Sequence, residues 1–550
     1  MWRLMACLVG LLAWSAARAG DLTIGISQFP SNLHPNIESM AAKSYVLGLT
    51  QRPFTAYDDK WELVCMLCTE LPTFENGKAV RETTPDGRSG VALTFTIHPD
   101  ATWADGTPVT TDDVMFTWEV GRHPQSGVGN AEMYRRFWKI DVVDDRTFTI
   151  HDEKLTFNYN AINDFRLLPA HVDRPVFEQD PVTYRNRTRF DTDPTNPGLA
   201  FGPYRIAAIE PGSTIRLERN PHWWGKAPVF DAIIVKAIEN TTALEANLLS
   251  GGIDMIDGTL GLSLDQALAF EKRHGEDYTV RYQPGLIYEH VDLQLDNPVL
   301  ADRRVRHALL YGIDRASISE RLFAGRQPVA DGQVHPLDWV HSAKVTTYAY
   351  DPAKAAALLD EAGWTKGADG TRRNAAGEPL KLVFMTTAGN RSRELMQQIL
   401  QSQWQALGIQ VEVRNEPPRV LFAETLTKRK FDGGVLFAWI SSPENPPRTI
   451  LHSEEIPSEA NGWSGQNYTG YRSPRMDQLL DAIEVELDRD KRKALWDKQQ
   501  QLYAEDLPAL PLFFRADAYI WPRWLEGIVP TGNQSPVTYW VEDWRDTRTH

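Results

Sequence analysis

The sequence predicts an α/β protein built on more than one hydrophobic core, and three observations carry that reading. Its 550 residues exceed the ~250–300 at which a single core stops growing. Apolar residues make up 42% and charged residues 24%, a globular balance. Between 380 and 440, short apolar runs of two-residue period alternate with runs of helical period. The order there is strand, helix, strand, helix, strand, which implies helices covering a sheet.

Residues 22–26 read as a strand. Residues 91–97 (VALTFTI) alternate as a half-buried strand does. Thr110 or Thr111 then caps a helix whose first turn carries Asp112 and Asp113, carboxylates suited to the positive end of the helix dipole. Segments 147–151 and 214–218 read as further strands. In the second half, 305–313 is an apolar-periodic helix following Asp302. Asp351 caps another helix, with Pro352 at its first position and Gly363 just past its end. A strand at 380–386, a helix at 393–407 stopped by Gly408, a strand at 409–414, a helix at 420–428 and a strand at 435–439 follow. Ser473 and Pro474 open a helical stretch interrupted near Asp488, and LPALP at 507–511 leads from it into a strand-like 512–514.

The N-terminal residues 1–19 read as a secretion signal. Arg3 supplies positive charge, 4–14 is an apolar run too short to span a bilayer, and Ala17-Arg18-Ala19 has the small-x-small form of a cleavage site. A mature chain beginning at Gly20 and a periplasmic location are therefore expected. Cys7 precedes most of the apolar run instead of following it, which argues against a lipid-anchored form. The net charge is −15, and a surface of that sign repels nucleic acid and anionic membranes. The mature chain keeps Cys65 and Cys68. No second Cys pair completes a zinc site and no thioredoxin-like context surrounds them, so in an oxidising compartment a structural disulfide is expected.

Catalytic patterns are missing. The chain has no HExxH helix, no GxSxG elbow and no GxxxxGK[ST] phosphate loop. Its thirteen His residues are scattered, and acid pairs such as Glu454-Glu455 are what an acidic surface carries. No enzyme, cofactor or metal site is expected. The rival, a secreted hydrolase using unpatterned carboxylates, predicts turnover; a receptor predicts stoichiometric binding.

Longer segments do point to a family. TWADGTPVTTDDV (102–114), FGPYR (201–205) with EPG (210–212) and LERNPHWW (217–224), DRRVRHA (302–308) with GIDR (312–315), YDPAKA (350–355) with Gly363-Trp364, and LPALPL (507–512) together resemble the signature segments of the bacterial extracellular solute-binding proteins of family 5. They fall in family order between about 22 and about 520. The resemblance implies an α/β, two-lobed periplasmic-binding-protein fold of type II, the enlarged peptide-binding class. An extra subdomain would lie in lobe I and a ligand cleft between the lobes. It implies lobe I over 20–285, lobe II over 286–514 and a return to lobe I over 515–550. The implied function is capture of peptides or peptide-like solutes by hinge closure, for delivery to the membrane permease of an ABC importer. A monomer without cofactor is implied.

The resemblance also locates a site. Relatives carry a GWxxDYxDP motif at the end of a lobe II strand, whose backbone pairs with an extended peptide and whose first Asp takes the peptide ammonium. Here the segment runs through Ala438, Trp439, Ile440, Ser441, Ser442, Glu444, Asn445 and Pro446. Ser442 stands at the amine-binding position and Asn445 at that of the second Asp. Two readings follow: Glu444 reaches back and the ligand is still a peptide, or the ligand lacks an ammonium there and is a modified peptide, glycopeptide, sugar or other solute. Further candidates are Trp463 and Asn467 in a polar, aromatic loop, Arg391 and Arg393 at a helix start, and Phe29 and His34 at the lobe I position facing the ligand. For each the alternative is a structural or solvated role.

Overall fold

The protein, seen in a computed structural model, is described over residues 20–37, 40–128, 130–417, 420–461 and 465–548. The secretion signal expected over 1–19 lies outside the described residues. A ten-stranded sheet organises the chain. Two long strands, Tyr278–Leu293 and Ala509–Pro522, run antiparallel through its middle and pair with each other. To one side lie Met255–Ile256, Leu22–Ile26, Ala232–Ala237, Thr214–Arg219 and Tyr204–Glu210; to the other, Gly434–Ile440, Lys381–Thr386 and Gln410–Val413.

Packing sorts the same way. One core gathers Ile24, Val46, Phe116, Phe230, Ile233 and Val541. A second gathers Leu293, Val305, Leu309, Trp404, Leu436 and Leu512. Each fully buried side chain of this size contributes about 1.5–3 kcal/mol, so each core can hold its own lobe. A four-stranded antiparallel sheet, Ala79–Thr83, Ser89–Thr96, Thr147–Asp152 and Phe137–Val142, forms a further layer on the first lobe. Its core contains Phe54, Phe95, Trp103, Phe148 and Phe165. The architecture is two-lobed α/β with an added subdomain.

The signature segments build this scaffold. Gly106 takes a φ of 93°, the left-handed conformation a tight turn requires of Gly. Beyond the turn, Asp113 closes a capping box with Thr110 at the start of helix Thr111–Arg122. Its buried carboxylate also accepts Trp103 Nε1–H at 3.1 Å and the N–H of Ala170 at 2.8 Å. One carboxylate thus ties a core Trp to the starts of two helices, Thr111–Arg122 and Ala170–Gln179. Arg306 is 6% exposed and donates to the carbonyls of Leu300 at 2.8 Å and Leu507 at 3.0 Å. Arg315 does the same for Tyr348 at 2.8 Å and Pro511 at 3.1 Å. These buried guanidinium groups satisfy carbonyls at two helix ends, in a loop and on the second long strand.

Helices capped by Asp302 and Asp351 stand where the sequence places them, the interruption expected near Asp488 is a break at which Asp488 caps the following helix, and Cys65 and Cys68 form a disulfide. Two elements differ. The helix expected over 420–428 is a π turn over Leu421–Leu426, followed by a turn in which the Lys430 N–H reaches five residues back to the carbonyl of Thr425 at 2.7 Å. The strand expected at 512–514 runs through Ala509–Pro522, because Arg515 and Asp517 face a cavity rather than ending the strand.

Candidate ligand-binding site

A cavity of about 650 Å³ lies between the lobes. Tyr45 from helix Ala41–Thr50, Tyr57, Asp257, Thr259 and Tyr539 form its first-lobe wall. Gly285, Leu286 and Ile287 lie where the two long strands stop pairing. Arg515, Asp517 and Tyr519 alternate along the second long strand and so share one face. The second lobe contributes Ile440 and Ser441.

The polar groups of this wall are deeply placed. Asp257 is 3% exposed, and its carboxylate accepts the Leu260 N–H at 3.1 Å. Burial pushes its carboxyl up to about 7 against that bond, with the charge of Asp517 adding to the rise. Asp517 accepts the Thr259 hydroxyl at 2.8 Å, and burial likewise raises its carboxyl. The buried hydroxyls of Tyr45 and Tyr539 have no hydrogen-bond partner among the described residues.

Where the long strands stop pairing, Leu286 ties the backbone of both lobes. Leu286 donates its N–H to Gly532 O at 3.1 Å, and its carbonyl accepts the Ser441 N–H at 3.2 Å. Three residues on, Glu289 is clamped by Arg515 at 2.8 Å and Arg393 at 3.1 Å. Burial alone would raise the Glu289 carboxyl, but the two guanidinium groups hold it below the ordinary carboxylate range. Further contacts join the lobes at the rim. Phe157 N–H donates to Glu484 O at 3.0 Å, Arg492 stacks on Phe157 at 4.8 Å, and Trp61 packs on His335 at 5.2 Å.

A side pocket of about 80 Å³ continues from the cavity into the second lobe, sharing Leu286, Ile440 and Ser441 with it. Gln333, His335, Asp338, Trp439, Ser442 and Trp496 are among the residues around it. Strand Gly434–Ile440 runs along its edge. One side of that strand pairs with the first long strand as far as Ile440. The other pairs with Lys381–Thr386 only as far as Leu436, so among the described residues the backbone edge from Phe437 to Ile440 is open.

Of the residues singled out in the sequence, Trp439, Ile440, Ser441, Ser442 and Asn445 are brought together at this pocket. Ala438 lies on the same strand, opposite Glu289. The others stand elsewhere. Glu444 does not reach back: its carboxylate pairs with Arg492 and accepts Trp339 Nε1–H at 2.8 Å, so its charge is already matched. Asn467 is wholly buried and staples its loop, donating to the carbonyls of His452 at 3.1 Å and Tyr471 at 2.8 Å. Arg391 is exposed at the start of helix Arg391–Ala406, whereas the buried arginine of that turn is Arg393. His34 is sealed in the first-lobe interior against Tyr184 and Phe190, and burial lowers its pKa to about 3. Phe29 packs against the same core. Trp463 lies outside the described residues.

Sequence reasoning missed Asp257, Asp338, Arg515, Asp517 and the tyrosines. Charges at 515 and 517 inside an otherwise apolar strand were the available signal. Among the described residues no group of three or more His, Cys, Asp or Glu side chains is placed to hold a metal ion, and no helix is long and apolar enough to cross a membrane.

Comparison with known proteins gives consistent matches. The family model described as bacterial extracellular solute-binding proteins, family 5 Middle, matches residues 75–455. The oligopeptide-binding protein AppA of Bacillus subtilis (strain 168) is 23% identical over 518 residues, covering 93% of this chain and 89% of that protein. The crystal structure of an oligopeptide binding protein from Thermus thermophilus, complexed with a pentapeptide, superposes with a TM-score of 0.73 at 29% identity and covers 96% of each chain. NikA from Brucella suis, in complex with Fe(III)-EDTA, has a TM-score of 0.78 at 20% identity, covering 96% of this chain and 99% of that one; that likeness is one of fold.

Proposed function

Because this chain belongs to the bacterial extracellular solute-binding proteins of family 5, we propose that it captures short peptides or peptide-like solutes between its lobes and delivers them to the permease of an ABC importer. The observation that carries this reading is the cavity of about 650 Å³ bounded by both lobes, reached at Ile440 by a strand whose second edge is unpaired beyond Leu436 among the described residues. An extended peptide can add to such an edge by main-chain hydrogen bonds while the cavity takes its side chains. Relatives named for oligopeptides, one of them complexed with a pentapeptide, support the same ligand class.

Closure is the mechanism. A ligand touching both walls has a higher affinity for the closed arrangement, which is the only way it can shift the equilibrium between open and closed states. The movement would be absorbed near Gly285 to Ile287, with lobe I over 20–285 and 515–550 and lobe II over 286–514. Rim contacts such as that of Phe157 with Glu484 would form on closing. Residues 1–19 act as a cleaved secretion signal, the mature protein works in the periplasm as a monomer, and no covalent chemistry is performed on the solute.

A second reading draws on Ser442. With Glu444 neutralised by Arg492, neither side chain offers a free negative charge at the family's amine position, as expected of a receptor for a glycopeptide, sugar or other non-peptide solute. Native mass spectrometry of protein isolated from its own periplasm without refolding separates the two. A ladder of bound masses spaced by amino-acid residues supports the peptide reading. One discrete non-peptide mass refutes it.

A further inference from the structure

With the peptide reading above as premise, we propose that Asp338 seats the free ammonium group of the ligand, in place of the carboxylate missing at Ser442. Asp338 comes from a loop about a hundred residues before the ligand strand, yet it lines the side pocket together with Ser441 and Ser442. It is 6% exposed. One carboxylate oxygen accepts the Glu444 N–H at 2.7 Å and the other the Val340 N–H at 3.2 Å. Among the described residues it makes no ion pair. Arg489 acts on it only at longer range, being stacked on Trp339 at 4.1 Å. Its acidic neighbour Glu444 has Arg492 as a cationic partner; among the described residues Asp338 has none. A buried carboxylate lacking a cation is costly unless something supplies one. Its carboxyl accordingly sits at about 6, raised by burial.

The rest of the pocket says what should accompany that cation. Both polar ends of Gln333, the Nε2 of His335 and the Nε1 of Trp496 are buried without a hydrogen-bond partner among the described residues. His335 Nδ1 accepts the Leu337 N–H at 3.0 Å, so Nε2 carries the proton and is a donor. These residues line the pocket together with Asp338, so an occupant that reaches them would meet Asp338 and Gln333 Oε1 as acceptors and His335, Trp496 and the Gln333 amide as donors. An ammonium followed closely by a carbonyl, the head of a peptide with a free N-terminus, matches both sets. A sugar would satisfy the neutral groups but leave Asp338 uncompensated, and a ligand carboxylate would be repelled by it. From this seat the chain would run along the open edge from Phe437 to Ile440 into the larger cavity.

Pools of tri- to pentapeptides, with free and with acetylated N-termini, test the assignment by retention on ligand-stripped protein read by native mass spectrometry. Wild type should hold the free pool at least about ten-fold more tightly than the acetylated one. Asp338→Asn should lose about 10- to 100-fold on the free pool, the weight of one charge-assisted contact, and nothing on the acetylated pool. If that variant does not fold, the wild-type comparison of the two pools decides alone. Equal retention of both pools by wild type, or undiminished retention of free peptides by a folded Asp338→Asn, overturns the role of Asp338 and leaves the peptide reading standing. Retention of neither pool by wild type refutes the peptide reading itself, and the ammonium seat with it.

Discussion

Replacing Asp257 by Asn should make the ligand-free protein more stable at neutral and alkaline pH. Asp257 sits on the cavity wall, facing Tyr45, Tyr519, Asp517 and, along the strand, Arg515. Burial raises its carboxyl from the ordinary value of 3.8 to about 7. The unfolded chain gives up this proton near pH 4 and the folded protein only near pH 7. Between those values the folded state binds more protons, so stability falls as pH rises. The contribution is fully present below pH ~4 and lost above pH ~7. About three pKa units at 1.36 kcal/mol each make the full change about 4 kcal/mol. Asn keeps the acceptor for the Leu260 N–H and carries no charge. Urea unfolding of stripped wild type and variant should therefore show Asp257→Asn more stable by about 2–4 kcal/mol at pH 8 and nearly equal to wild type at pH 4. A stability difference that stays constant from pH 4 to pH 8 would refute the reasoning, since a charge penalty must vanish once the wild-type carboxyl is protonated.

Three further outcomes are expected. Glu444→Gln removes the counter-charge of Arg492, which is 7% exposed, and should cost about 1–3 kcal/mol in thermal or urea unfolding. It should leave the preference between free and acetylated peptides intact; a lost preference at unchanged stability would return Glu444 to the ligand. At the hinge, a Cβ on Gly285 would stand 2.8 Å from Gly532 O, displacing the carbonyl that accepts the Leu286 N–H. Gly285→Ala should weaken ligand retention about ten-fold, as loss of one such bond implies, and X-ray scattering should show less compaction on ligand addition than in wild type. Reducing the bond between Cys65 and Cys68 should cost about 2 kcal/mol, visible as an earlier urea midpoint alongside two titratable thiols.

The parts of the fold that sequence reading placed well are those whose causes are local. Asp302, Asp351 and Asp488 each accept an N–H of the turn they cap, and Pro352 and Gly363 mark the two ends of one helix with their own backbone chemistry. Such signals lie within a few residues of what they specify. The second long strand was cut short for the opposite reason. Leu512 to Phe514 is apolar, Arg515 and Asp517 are not, and alternation alone cannot tell a strand ending at a charged loop from one passing a cavity. The same holds for the length of Tyr278–Leu293, whose partner is more than two hundred residues away. The π turn at Leu421–Leu426 has a helical period in sequence, and only the five-residue spacing of backbone bonds that defines a π turn distinguishes it.

The site was legible at one edge only, and the reason bears on how ligand choice is encoded. The segments that resemble the family are occupied with the scaffold: Asp113 ties Trp103 to a helix start, while Arg306 and Arg315 satisfy backbone carbonyls of other segments. They identify the fold, and changing them would cost stability before it changed affinity. The charged groups on the cavity and pocket walls, Asp257, Asp338 and the pair Arg515 and Asp517, come from three segments far apart in the chain and are brought to the same cleft only by the fold. Each alone looks like any acid or base of an acidic protein. Burial without an ion pair among the described residues is what separates Asp257 and Asp338 from the surface carboxylates, and burial belongs to the fold. A substitution such as the Ser at 442 therefore need not abolish a charge at the site, because an acid on another segment can reach the same pocket. Ligand class in such a receptor is to be read from the charges left unpaired in the cavity, not from the motif that marks its edge.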